Sequence, residues 1–366
     1  MQLKQLSIVN YKNIAEEELN FSDKVNCLIG DNGMGKTNVL DAIYYLSLCR
    51  SFAPQPDNSS VIRHGEPYMM LRGHYLRRDM EEEISIALQR GRRKVVRRGG
   101  KEYKRLSAHV GLLPVVMVSP QDWDLIRGSG AVRRNFIDRT ISQCDESYME
   151  ALNRYNKALE QRNALLHQEV TEELLYESVE VTMCESAAVI HAARQAWMQS
   201  FAPLFDAYYR DIAGEGEHVT LRYRSHLNDN EMRAHLNATR QRDLALGYTS
   251  RGIHRDDIEM LLGEHDMRHI GSQGQCKTYT IALRMAEFET LKQRRNLTPI
   301  LLLDDIFDRL DATRVERIIE VVSSDRFGQI FITDTNRTHL DSIIARRAGD
   351  YRMMRVENGK ITLLNQ

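Results

Sequence analysis

The sequence predicts an α/β protein, a mixed sheet with flanking helices into which a helical lobe is inserted. Three observations carry that expectation: a G-x-x-x-x-G-K-[ST] loop at 30–37, a glycine-free stretch over 131–213, and an apolar run at 300–303 that ends in two carboxylates. The loop reads Gly30-Asp31-Asn32-Gly33-Met34-Gly35-Lys36-Thr37. It follows Val25, Cys27, Leu28 and Ile29 and opens a helical pattern of Val39, Leu40, Ile43 and Leu46. Strand, loop and helix in that order are the context this motif requires. Glycines let backbone N–H groups turn around phosphate oxygens, and the helix presents its positive end to the same anion. Lys36 would reach the β- and γ-phosphates and the Thr37 hydroxyl would ligate Mg²⁺, so the loop predicts a bound nucleoside triphosphate.

The totals describe a globular chain of 366 residues, 42% hydrophobic and 28% charged, with a net charge of −1. That length allows two or three domains. No apolar run approaches the roughly 18 residues of a membrane span. The first residues, Met1 to Leu6, are already strand-like and show no signal-peptide core. Cys27, Cys49, Cys144, Cys184 and Cys276 are scattered without a C-x-x-C pair, which reads as reduced thiols in a cytoplasmic protein.

Up to about residue 115 the pattern is strand-rich. Ile84, Ile86 and Leu88 alternate, and Val95-Val96 answer them across a basic turn, as in an antiparallel ladder. Nine Lys and Arg stand between positions 90 and 105 against one acid, Glu102. The block fits two descriptions: a contact to a phosphate backbone, or a solvated hairpin turning at Gly99-Gly100 with Glu81-Glu82-Glu83 as charge partner. Over 131–213 Tyr148, Leu152, Tyr155 and Leu159 keep helical spacing, as do Leu175, Val179, Met183, Ala187 and Ile190. That stretch reads as a helical arm with Tyr148, Tyr155, Met183 and Trp197 in its core. His265 and His269 are four apart but lack a helical pattern and an acidic partner, so no metal site is expected there.

Ile300-Leu301-Leu302-Leu303-Asp304-Asp305 suits a buried parallel strand ending in acids. Beside the loop, Asp304 would hold Mg²⁺ and Asp305 would orient the attacking water as general base. Upstream, Ser272-Gln273-Gly274-Gln275 opens a helix, and Leu310-Asp311 follows the carboxylates. Phosphate loop, helical insertion, Ser-x-Gly-Gln helix, apolar-Asp-Asp strand and Leu-Asp is the order of an ABC-type P-loop ATPase head. On that plan lobe I comprises 1–115 and 296–366. Lobe II comprises 116–295, with the arm at 131–213 and the signature segment at 271–275.

Within that class the chain resembles the RecF family of bacterial recombination mediators, relatives of SMC heads. The resemblance rests on Leu6-Ser7-Ile8-Val9-Asn10-Tyr11-Lys12-Asn13, residues 30–38, Ser119-Pro120-Gln121-Asp122, Arg133-Arg134-x-Phe136-Ile137-Asp138, Gln161-Arg162-Asn163, His254-Arg255-Asp256-Asp257, 272–275 and 301–311. It implies ATP-dependent homodimerisation, binding of single-stranded and duplex DNA at gaps, slow DNA-stimulated ATP hydrolysis, and work with RecR and RecO in loading RecA during repair, with a link to the SOS response. By position match, Gly30, Asp31, Asn32, Gly33, Met34, Gly35, Lys36, Thr37 and Asn38 bind the nucleotide. Thr37, Asp304 and Gln121 take Mg²⁺, Lys36 and Asp305 are catalytic, and Ser272, Gly274 and Gln275 contact the partner protomer's nucleotide. Arg92, Arg93, Arg97 and Arg98 become candidate DNA contacts. The chain departs from the family at Gln121, where an acid is usual, at Asp308-Arg309, where Ser-Glu is common, at Gly130 and at Cys276. A transporter ATPase subunit would carry Leu-Ser-Gly-Gly-Gln, a Glu at 305 and a switch His in 333–336. A phage-defence ATPase of the same head class would differ chiefly in its gene neighbours.

Overall fold

The computed structural model describes residues 1–53, 55, 57–308, 310–335, 337–347 and 350–365. Arg309 and Asn336, which fall in two of the segments weighed above, lie outside them. Among the described residues one sheet has the strand order Lys360–Asn365, Tyr351–Glu357, Val25–Ile29, Ile330–Asp334, Ile300–Asp304, Val115–Val118. The last five run parallel and Lys360–Asn365 is antiparallel to its neighbour. Its inner strands are apolar almost without alternation, as a parallel sheet covered on both faces demands. Residues 300–304 are all buried.

A second, antiparallel sheet has the order Ile14–Asn20, Gln2–Tyr11, Tyr68–Arg77, Met80–Gln89, Val95–Arg98, Lys101–Glu102. The expected ladder is present, pairing Ile86 with Val96. Between the two sheets lies the helix Lys36–Leu48, which buries eleven of its thirteen residues. It is apolar nearly all round because sheets face it on opposite sides. The buried Gln329 fastens the sheets together: its Oε1 accepts from Leu3 N at 2.7 Å, and its Nε2 donates to Leu3 O and Ser22 O at 2.8 Å. Every polar atom of that amide is used, which is what makes its burial tolerable.

The chain divides into two compact units. The first comprises Met1–Asp122, Asp211–Gly214 and Gln273–Gln366 and holds both sheets. The second, Trp123–Arg210 with Glu215–Ser272, holds the helices Gly130–Ser142, Glu146–His167 and Met232–Leu246 and most of Glu173–Ala213. A small sheet of His265–Asp266, Asp257–Leu262 and Val219–Arg224 completes it. These limits differ from the lobe expected at 116–295. The helix Gln273–Arg295 belongs to the first unit because it buries most of its length there, with Arg284 between Asp122 and Glu287. The arm contains a single helix of 41 residues that continues through Pro203, longer than the spacing pattern suggested. Tyr148, Tyr155, Met183 and Trp197 are in its core as expected.

Two ion clusters sit inside the helical unit. Arg162 is fully buried between Glu180 at 2.8 Å and Asp243 at 2.9 Å. Arg194 lies between Asp138 at 2.8 Å and Asp256 at 2.6 Å. Arg133, Asp257 and Arg134 join the same scaffold: Arg133 forms a two-pronged pair with Asp257, and Arg134 donates to Asp256 O. Among the described residues no helix is long and apolar enough to cross a membrane.

Candidate nucleotide-binding site

Parallel strands end together, so the loops after Val25–Ile29, Ile300–Asp304 and Val115–Val118 open on one edge of the sheet. Ligands of open α/β sheets bind at that carboxyl edge. It receives the 30–37 loop, Asp304 with Asp305, and Gln121.

The loop's shape depends on its glycines and on two turns that grip it. Gly33 and Gly35 have φ of 81° and 110°, a region that side chains resist. At Gly30 a Cβ would lie 2.4 Å from Val356 O, so the neighbouring strand leaves no room for one. Met34 O accepts from Asn13 Nδ2 at 3.1 Å and from Gly359 N at 2.9 Å, and Asn38 Nδ2 donates to Asn13 Oδ1 at 2.7 Å. Lys36, buried at the helix start, donates to Gly30 O at 2.7 Å and Asp31 O at 3.1 Å. Its ammonium therefore sits inside the loop's curve, where phosphate charge would be countered.

Thr37 Oγ1 lies 2.9 and 3.0 Å from the two Asp304 carboxylate oxygens, and Thr333 Oγ1 donates to the same carboxylate at 2.7 Å. Burial pushes the Asp304 carboxyl up from its usual range while the Thr333 and Thr37 hydrogen bonds pull it down. Asp305 is also pushed up by burial, opposed by the nearby Lys36. A base with a raised pKa takes a proton more readily, which suits the role expected of Asp305. The Asp305 backbone has φ of 45°. It is held there by Asp305 N donating to Thr333 Oγ1 at 3.1 Å and by Lys277 Nζ donating to Asp305 O at 3.1 Å and Asp308 O at 2.8 Å.

The structure thus brings Lys36, Thr37, Asp304 and Asp305 together. Asn32 is exposed in the loop and Gln121 is exposed after its strand. Asp122 beside it is buried on Arg284. Gly274 and Gln275 lie in the first turn of Gln273–Arg295, and Ser272 precedes it. Asn13 and Lys277 support the site without a signature of their own: Asn13 stands at the end of the opening family motif, and Lys277 belongs to no motif.

The basic block is divided by the ladder. Arg92 and Arg93 are exposed in the turn before Val95–Arg98, whereas Arg97 and Arg98 stand at the other end of that strand. Arg98 forms a two-pronged pair with Glu82, and Lys94 turns inward over the Tyr45 ring at 4.7 Å, donating to Cys49 O. Arg92, Arg93 and Arg97 remain exposed. The hairpin with a glutamate partner is present, through Arg98 and Glu82, and it leaves the other guanidinia in solvent. Among the described residues no three or more His, Cys, Asp and Glu cluster as ligands for a metal ion.

A phosphate loop, a carboxylate-tipped parallel strand beside it and a second antiparallel sheet over the loop helix define an ABC-type P-loop ATPase head. The Smc head of Pyrococcus furiosus has the same fold at a TM-score of 0.58 and 17% identity over all of this chain and 96% of that one. A family model for the AAA ATPase domain matches residues 1–93. The chain belongs to the RecF family. It is 51% identical to the DNA replication and repair protein RecF of Parabacteroides distasonis, over 99% of both chains. To that of Bacteroides fragilis it is 48% identical, over all of this chain and 99% of the relative. Among solved structures it resembles the recombination mediator protein RecF-ATPrS in the RecFOR pathway, with a TM-score of 0.88 and 27% identity over 99% of this chain and 98% of that one.

Proposed function

We propose that this chain is an ATP-dependent DNA-binding clamp of recombinational repair. It dimerises when ATP binds, engages single-stranded and duplex DNA at gaps, and acts in the cytoplasm with RecR and RecO to load RecA. Its ATPase is slow, so that hydrolysis serves as a release step. The observation that carries the reading is the approach of Thr37 Oγ1 to both oxygens of Asp304, across 267 positions of sequence. A hydroxyl and a carboxylate meeting beside a phosphate loop are hard oxygen donors, the set that suits Mg²⁺. Thr37 and Asp304 would hold the ion, which when bound would offset charge on the β- and γ-phosphates. Lys36 neutralises the phosphates from inside the loop and Asp305 orients a water and accepts its proton. Full-length likeness to the structure of the recombination mediator protein RecF-ATP, with a TM-score of 0.87, supports ATP as the nucleotide.

Dimerisation follows from the signature segment. Ser272, Gly274 and Gln275 open a helix whose positive N-terminal end would meet the γ-phosphate held by a second protomer, so bound ATP would favour the dimer. Sedimentation with and without ATP tests this. Wild-type chain is expected to dimerise with ATP, and Lys36→Arg to stay monomeric with its fold intact. A dimer indifferent to ATP would sink the clamp. ATPase rates without DNA and with single-stranded, duplex and gapped DNA would then order the activating structures.

A further inference from the structure

The strands Ile300–Asp304 and Ile330–Asp334 lie side by side in register: Leu301 faces Ile330, Leu302 faces Phe331, Leu303 faces Ile332, and Asp304 faces Thr333. Three apolar pairs thus lead to one polar pair, and Thr333 is fully buried. In a parallel sheet covered on both faces, packing at that position asks only for the shape of a valine. A hydroxyl there costs free energy unless it is bonded. The Thr333 hydroxyl is bonded twice: Oγ1 donates to Asp304 Oδ1 at 2.7 Å and accepts from Asp305 N at 3.1 Å. It has one proton, and an ionised carboxylate can only accept, so the two bonds have one possible direction.

The neighbouring contacts divide between the two acids. Thr37 Oγ1 reaches Asp304 alone, at 2.9 and 3.0 Å. Under the function proposed above that oxygen turns toward the ion, and of the two hydroxyls Thr333 is the one left to orient the carboxylate. Carboxylates that ligate metals depend on such partners. Lys277 Nζ holds the carbonyls of Asp305 and Asp308, and Thr333 O gives the Asp305 amide a second, longer acceptor at 3.3 Å. Of these groups only the Thr333 hydroxyl touches both Asp304 and Asp305. Removing it leaves the amide its bond to Thr333 O, so the strand end should survive while the spacing between the two acids is released.

We propose that Thr333 is a positioning residue whose hydroxyl couples the hold on the ion at Asp304 to the placing of Asp305. The proposal rests on the Mg²⁺ and base roles inferred above and makes them interdependent through one oxygen atom.

The test takes two readouts from the full chain. One is Mn²⁺ binding in the presence of ATP, followed by the paramagnetic resonance of free Mn²⁺, and the other is turnover at saturating ion. Thr333→Val should weaken Mn²⁺ binding about 10- to 100-fold and lower kcat about 10²-fold. ATP affinity without a divalent ion should stay at the wild-type value, and Thr333→Ser should restore both losses. In an Asp305→Asn background Thr333→Val should lower kcat little further, because it acts through that residue. If the valine variant melts early, Thr333→Ser against Thr333→Ala isolates the hydroxyl at nearly equal volume. Wild-type Mn²⁺ binding and kcat in the valine variant would overturn the proposal. Equal losses in the valine and serine variants would do so too, as would a loss in one readout alone. If the wild-type chain with ATP takes up no Mn²⁺, the ion site itself fails and the proposal fails with it.

Discussion

Asp305 stands one residue past a buried strand in a backbone conformation that a non-glycine residue adopts at a cost, with φ of 45°. Strain of that kind persists where its surroundings over-determine it, and here Thr333 and Lys277 do so from two elements. Asp305→Asn should lower ATP turnover about 10²- to 10⁴-fold with ATP affinity little changed, measured by steady-state kinetics and nucleotide titration. Lys277→Met should leave ATP affinity intact and lower kcat about 10²-fold, because a small displacement of the base is enough. If KM rises instead while kcat holds, Lys277 supports binding rather than the base. The phosphate-loop residues were legible because their chemistry fixes their spacing in sequence. Asn13 and Lys277 were not, because each acts on a backbone carbonyl brought near only by folding, and a carbonyl leaves no residue signature.

Elements were legible where one environment surrounds the whole segment. Residues 300–304 are buried on both faces, and their unbroken apolar run said so. The helix Gln273–Arg295 was harder to assign. Its sequence advertised a polar start, yet Thr278, Arg284 and Glu287 are all buried, so polarity pointed away from the unit that encloses it. Arg284 holds Asp122 and Glu287 at once, and Asp122 in turn accepts from Ser119 N at 3.0 Å in the turn that carries Gln121. Arg284→Leu would leave two carboxylates buried without their cation, at a cost of about 3–5 kcal/mol. The expected outcome is a clearly lower melting temperature; an unchanged one would mean that water replaces the guanidinium. The basic block shows the limit of composition as a guide. Nine cations between positions 90 and 105 lie close in sequence, but a strand of period two and two turns distribute them, and Lys94 and Arg98 are claimed by the fold.

At the scale of the molecule, acid should act through the helical unit. Burial lowers the His254 imidazole from 6.5 to about 4, and the nearby Arg255, Arg134 and His226 add to the shift. A histidine held neutral in the folded state contributes stability that is complete above its unfolded value and lost as pH falls toward the folded one. The chain should therefore lose stability from about pH 6.5 down to pH 4, and His254→Gln should flatten that part of a melting curve recorded against pH. An equal slope in wild type and variant would assign the loss to other groups. Oligomeric state belongs to this scale as well. Ser272→Arg should bind ATP as a monomer and fail to dimerise in sedimentation; a normal dimer would remove Ser272 from the interface. The two-unit division was only half visible in sequence. The glycine-free arm announced itself, whereas the boundary at 272–273 falls inside a motif that reads as continuous.

The phosphate loop is gripped by Asn13 on one side and by the 358–359 turn on the other, and Asn358 N approaches Met34 Sδ across 324 positions. Its strand, Val25–Ile29, pairs with Ile330–Asp334 and Tyr351–Glu357, both made long after it. On the ribosome the wait is roughly a quarter of a minute to a minute at ordinary elongation rates. Through that interval the loop sequence exists with Asn13 but without the two strands and the 358–359 turn that complete its surroundings. Competence to bind nucleotide is thus among the last properties the nascent chain acquires, and a polypeptide released early, before residue 351, would carry the motif but no site.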